Sequence, residues 1–214
     1  MARAHMTGWA KSEDPHRSAG ALRLPHGAPL TVRVVYGTSE GQTQKIARFL
    51  AARLAERGHR LEVIEATGTP HAADPNRFDA IVIAASVHAG RYQPAIVEYV
   101  RGHLGEIDSH PNAFLSVSLS AASAKASDLA GLKQCVETFS RQTCWTPRIL
   151  HHAAGALRYR AYSLIERCAL RFIAWRRGAP TDTRRDHELT DWDDLTEFCA
   201  LLERSFSNAQ TQTH

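Results

Sequence analysis

Residues 32–54 read "VRVVYGTSEGQTQKIARFLAARL", and the fold turns on how this stretch changes character twice. Val32, Val34 and Val35 are β-branched, which favours a short buried strand. From Gln44 onward Ile46, Phe49, Leu50 and Leu54 recur at helical spacing, with Arg53, Glu56 and Arg57 among the polar positions. Between strand and helix stand Gly37, Gly41 and the hydroxyls of Thr38, Ser39 and Thr43. Such a turn presents backbone N–H groups at a helix N-terminus, where the macrodipole favours an anion. An ordinary N-capped βα turn has the same composition, so the loop alone leaves both readings open.

The 214 residues suit one domain, or one domain with appendages, and 43% are hydrophobic, enough for a sizeable core. No run approaches the roughly 18–20 apolar residues of a membrane span, so no crossing of a bilayer is expected. Residues 1–29 mix Pro, Gly, His and both charges without an apolar h-region, which suits a disordered extension rather than a secretory signal. Glu13 and Asp14 are out of keeping with a transit peptide. A disordered tail is expected over 207–214. Cys135, Cys144, Cys168 and Cys199 form no CxxC pair, so neither a zinc site nor a redox dithiol is indicated, and buried, inert thiols are expected. Twelve histidines raise the question of a metal. His151 and His152 are adjacent, however, and face opposite sides of a strand, while no HxxxH stands on a helical stretch. No metal is expected.

Strand and helix then alternate. Gly58 reads as a helix stop, His59–Ala66 as a strand, and Phe78–Val87 as an apolar run suited to a central parallel strand. Pro94 opens a helix whose apolar side carries Ile96, Val97, Tyr99 and Val100. Asn112–Leu119 is a strand, Asp128–Phe139 a helix, "RILHHAAGAL" (148–157) strand-like, and Asp191–Ser205 a closing helix. The expected architecture is α/β, a doubly wound parallel five-stranded sheet with helices on both faces and a basic helical insertion at about 156–189. Ligands of such sheets bind at the strand C-terminal ends. That edge gathers three loops rich in small and hydroxyl residues: 37–43, 86–93 and 118–127.

The first loop is neither GxGxxG nor GxxxxGK[ST], and Tyr36 and Gly37 stand where a phosphoacceptor domain would place an acid. What remains is hydroxyl-x-acid-Gly-x-Thr, a cradle without lysine suited to one terminal phosphate. Here Thr38, Ser39, Glu40, Gly41, Gln42 and Thr43 resemble, position by position, the phosphate loop of the flavodoxin family. The stretches "FDAIVIAASVHAGRYQPAIVEYV", "HHAAGALRYRAY" and "TDTRRDHELTDWDDL" narrow the resemblance to the bacterial menaquinone-dependent protoporphyrinogen IX dehydrogenases, over roughly Leu30 to Ser205. The resemblance implies FMN, with its phosphate on Thr38–Thr43. Its ring would lie between Ser86, Val87, His88, Ala89, Gly90, Arg91 and Tyr92 on one side and Ser118, Leu119, Ser120, Ala121 and Ala122 on the other. Ala89 stands where the family often has an aromatic, which leaves Tyr92 as the nearby ring for stacking.

From Ala156 to Arg185 eight arginines face only Glu166 and Asp182, a local charge of +6 in a chain of net +4. On a helix Arg160, Arg167 and Arg171 fall in one narrow arc beside an apolar face that includes Phe172, with Trp175 near its edge. That pattern suits the surface of an anionic membrane and equally suits a helix packed on its own sheet. No nucleic-acid reader motif appears, and no nucleic-acid partner is expected. No catalytic triad, carboxylate pair or metal cluster is evident, which is compatible with an enzyme whose cofactor carries the chemistry. The resemblance implies oxidation of protoporphyrinogen IX to protoporphyrin IX in heme biosynthesis, with menaquinone or another quinone as acceptor. It further implies a cytoplasmic protein peripherally attached to the inner face of the cell membrane. Arg91, Arg158 and Arg160 are candidate partners for the substrate propionates. Catalytic side chains are not assigned, and a homo-oligomer stays open. The alternatives are a flavodoxin-like electron-transfer protein and an NAD(P)H:quinone reductase.

Overall fold

A computed structural model describes residues 28–67, 78–123, 125–157 and 187–211. In chain order the elements are β1 (Thr31–Gly37), α1 (Gln42–Glu56), β2 (Arg60–Glu65), β3 (Ala80–Ser86), α2 (Pro94–Gly102) and α3 (Leu104–Ser109). There follow β4 (Asn112–Ser118), a 3-10 turn (Leu119–Ala122), α4 (Ala126–Thr143), β5 (Ile149–Ala154), two short strands β6 (Ala156–Leu157) and β7 (His187–Glu188), and α5 (Trp192–Thr211). The five long strands form one parallel sheet in the order β2-β1-β3-β4-β5. This is the doubly wound α/β architecture that the alternation predicts.

Successive residues of a strand face opposite ways, so the central strands feed two cores. Val34 belongs to the layer with Leu50, Leu54, Leu195 and Leu202, under α1 and α5. Its neighbour Val35 joins the other layer, with Ile96, Phe114, Phe139 and Trp145, under α2 and α4. Each such side chain contributes about 1.5–3 kcal/mol by leaving water, and a one-residue slip of β1 would exchange the two sets. Gly37 makes the end of β1 compatible with α2, because a Cβ there would overlap the Ile96 side chain.

Four local features differ from expectation. α4 runs from Ala126 to Thr143, longer than 128–139, and ends where Cys144 turns left-handed at φ 58°. The short α3 has only Ile107 buried, too little apolar period to announce a helix. α5 continues to Thr211, so part of the stretch expected as a tail is helical. The run 148–157 divides at Gly155, whose N–H makes the last rung of the β4–β5 ladder, to the Ser118 carbonyl, while its own carbonyl turns to accept from Leu189 N–H (both 3.1 Å). That peels the chain away to form the antiparallel β6–β7 ribbon. Cys199 is buried as expected, but Cys135 is half-buried and Cys144 exposed, correcting the expectation of uniformly buried thiols. Among the described residues no helix is long and apolar enough to cross a membrane. Residues 1–27 and most of the basic stretch, 158–186, lie outside the described residues.

Candidate functional site

The C-terminal ends of β1, β3 and β4 open into one cavity of about 700 Å³. Its first wall is the turn into α1. Gly41 sits at the helix N-cap with φ 82°, a left-handed conformation that a β-branched residue resists. Its N–H closes the loop onto Thr38 Oγ1 at 2.8 Å. Gly41, the N-cap residue, has no side chain with which to cap α1, and such a helix start presents amide donors to an anion. Beside them Thr43 is fully buried, and its Oγ1 has no hydrogen-bond partner. A buried hydroxyl without a partner is costly, and an anion at this helix end would satisfy both it and the amides. The donor set therefore fits the terminal phosphate of a flavin mononucleotide.

The second wall is a tight turn in which His88 and Arg91 exchange both backbone hydrogen bonds (2.8 and 3.0 Å). The two residues at its tip, Ala89 and Gly90, both have positive φ (48° and 76°). Ala89 is thus a non-glycine residue held in left-handed backbone at the cavity rim. In the third wall Ser118 Oγ accepts from Ala121 N–H at 3.1 Å and caps the 3-10 turn. Of the residues expected around a ring, Ser86, Val87, His88, Ala89, Gly90, Ser118, Leu119 and Ser120 line the cavity together with Thr38, Ser39, Glu40, Gln42 and Thr43. Gly41, Ala121 and Ala122 belong to the same loops but are not in the described lining.

Two expected residues lie elsewhere. Tyr92 does not stack in the cavity; it is buried in the α4-side core, edge-on to Phe114 and Phe139 (5.1 and 5.0 Å), with its hydroxyl 2.7 Å from Ser116 Oγ. The turn at 88–91 reverses the chain, so the next side chain enters the core rather than the rim. Burial pushes the Tyr92 phenol far above its ordinary range and keeps it protonated. Arg91 is exposed, held in place through its backbone, and its side chain is absent from the described lining. The other candidates, Arg158, Arg160, Arg167, Arg171, Phe172 and Trp175, lie outside the described residues.

Several contributors went unnoticed in the sequence. Gln93 Nε2 donates to Ser39 Oγ at 3.1 Å and to Ser86 Oγ, tying the first two loops together. Its position just before the helix-opening Pro94 was its only signal. α4 supplies a further wall through Gly131, Leu132, Gln134, Cys135 and Thr138. The Cys135 thiol reaches the Gly90 carbonyl at 3.3 Å, and burial raises its pKa, which preserves the S–H donor. Among the described residues that line the cavity, the ionisable groups are Glu40, His88 and the Cys135 thiol. Among the described residues the lining offers hydroxyl donors that fit a phosphorylated ligand, and no nucleophile–base pair.

A family model described as Flavodoxin domain matches residues 33–184. A protoporphyrinogen IX dehydrogenase (quinone) of Escherichia coli strain K12 is 32% identical over 165 residues, 77% of this chain and 90% of that protein. A protein of the same name from Leishmania major is 29% identical over 170 residues, 78% of this chain and 72% of that one. Among solved structures, a flavodoxin of Streptococcus pneumoniae TIGR4 superposes with a TM-score of 0.49 at 13% identity, over 84% of this chain and 99% of that one.

Proposed function

This chain belongs to the flavodoxin-domain family, and from that premise we propose that it is an FMN-dependent oxidoreductase that oxidises protoporphyrinogen IX and passes the electrons to a membrane quinone. The observation that carries the cofactor is the start of α1 at Gly41, with the buried, unpartnered Thr43 hydroxyl beside it, at one end of a cavity shared by three strand-end loops. Substrate and acceptor classes follow from the likeness to the E. coli and Leishmania dehydrogenases, the first aligned over 90% of its length. The bound flavin supplies a two-electron acceptor that protein side chains lack.

The chain's own residues do the rest. The α1 amides, Thr38, Ser39 and Thr43 hold the phosphate. The turns at 88–91 and 118–122 bracket the ring, and Gln93 ties the phosphate loop at Ser39 to Ser86 at the end of β3. Each oxidation step removes two electrons and two protons from the porphyrinogen, and the quinone leaves as quinol with the same count. The substrate's carboxylates call for guanidinium partners, and Arg91, Arg158 and Arg160 remain the candidates. Menaquinone is the proposed acceptor and heme biosynthesis the proposed setting. The basic stretch is proposed to rest on an anionic membrane, where a lipid-dissolved quinone is accessible, making the protein peripheral on the cytoplasmic side.

The test is anaerobic porphyrin fluorescence with FMN-loaded protein, protoporphyrinogen IX and a menaquinone analogue. The expected result is a rise that needs both protein and quinone. No rise with flavin bound, together with rapid bleaching of that flavin by NADH, would transfer the assignment to a nicotinamide-dependent quinone reductase.

A further inference from the structure

We propose that Thr190 is a positioning residue for the phosphate cradle, tying the start of α1 to the base of the β6–β7 ribbon. Gln42, the first residue of α1, donates from Nε2 to Thr190 Oγ1 at 2.9 Å. The same hydroxyl donates to the Ala154 carbonyl at the end of β5, also at 2.9 Å. One side chain thus joins the phosphate loop to the fifth strand, using both its acceptor and its donor. The tie is part-buried and spans 148 residues of sequence, so no local preference makes it.

The neighbours of Thr190 hold the connection in register. Leu189 N–H bonds the Gly155 carbonyl, and Gly155 N–H bonds the carbonyl of Ser118, which lines the cavity. Asp191 caps α5 by accepting from the N–H groups of Asp193 and Asp194, both at 3.0 Å. Trp192 packs on α1 through Phe49 (4.8 Å between ring centres) and Lys45 (4.9 Å). Positions 42, 45 and 49 lie on one face of α1, so the stretch 189–192 docks along that face, and Thr190 is its contact nearest the cradle. Docking by Trp192 and the α5 cap do not involve the Thr190 hydroxyl. Its loss is therefore expected to loosen the first turn of α1 without undoing the fold.

The inference rests on the FMN reading above. The test compares wild type, Thr190→Val, which keeps the shape and removes both hydrogen bonds, and Thr190→Ser, which keeps them. Apoprotein of each is titrated with FMN and with riboflavin, which lacks the phosphate, and its fold is checked by circular dichroism. Thr190→Val is expected to bind FMN about tenfold more weakly, the range for two modest hydrogen bonds, with Thr190→Ser within about twofold of wild type and riboflavin affinity unchanged. Equal FMN affinity in wild type and Thr190→Val overturns the proposal, as does an equal loss of riboflavin, which marks general damage. A wild type that takes up neither flavin overturns the cofactor reading itself and is distinguishable from both.

Discussion

Thr43 and Tyr92 show how opposite the fates of two polar side chains from neighbouring loops can be. Both are buried, but the Thr43 hydroxyl has no partner and faces the cavity, while the Tyr92 hydroxyl is matched to Ser116 in the core. Thr43→Val is therefore expected to cost FMN affinity about tenfold or more with thermal stability kept or raised, because an unsatisfied buried hydroxyl is removed. Combined with Gly41→Val, which puts a β-branched residue at φ 82°, flavin retention is expected to be lost altogether; flavin absorbance after gel filtration reads it. Tyr92→Phe should do the reverse. It leaves Ser116 Oγ without its phenol partner, costs about 1 kcal/mol, and lowers Tm by roughly 2–4 °C, while FMN affinity stays at the wild-type value. A Tyr92→Phe protein that folds normally and loses flavin would contradict the placement of that ring. The loop motif was legible residue by residue because it depends on backbone chemistry carried by contiguous positions. The path of Tyr92 was not, since it depends on a turn whose tip pairs Ala89 with Gly90, a combination with weak local signal.

β5 shows what an element decides that its residues do not. Among the described strands it is an edge strand, paired with β4. His151 faces α5, 2.9 Å from Asp194 and stacked on Phe198. His152 faces the other layer, aligned with Ser116, and its buried Nδ1 has no partner. Burial first, and the neighbouring His151 second, lower the His152 pKa below its ordinary 6.5. The unfolded chain therefore takes up this proton at higher pH than the folded one. Stability is unaffected above about pH 6.5 and falls as pH drops from there toward the folded-state pKa. His152→Gln is expected to flatten that part of the urea-midpoint profile between pH 7.5 and 5; an unchanged slope would assign the acid sensitivity elsewhere. The opposite facing of this pair followed from strand alternation alone. The division of the strand at Gly155 did not, because it depends on the Gly155 carbonyl turning to the amide of Leu189, a residue distant in sequence.

For the whole molecule, the sheet order brings three loops from widely separated parts of the chain to one edge, and the base of the basic stretch meets them there through Gly155, Thr190 and Gln42. A membrane-facing segment rooted at the flavin cavity would place a lipid-dissolved acceptor beside its electron donor. Co-sedimentation with vesicles is expected to require anionic lipid and to weaken steeply from low to physiological salt, since each arginine near such a surface contributes about 1 kcal/mol and is screened beyond roughly 8–10 Å. Binding that ignores both lipid charge and salt would remove the electrostatic basis of membrane attachment.

By itself the sequence determined the α/β alternation, the central strands and the glycine turn into α1, because each rests on short-range rules: apolar period, β-branching, glycine and helix-end chemistry. The tertiary structure alone decided which side chains complete the site. Gln93, the α4 wall with Cys135, and the Thr190 tie to Gln42 meet across 45 to 148 residues of sequence or through a bridging side chain. Contacts of that kind depend on strand order and on where helices pack, and no local pattern carries either.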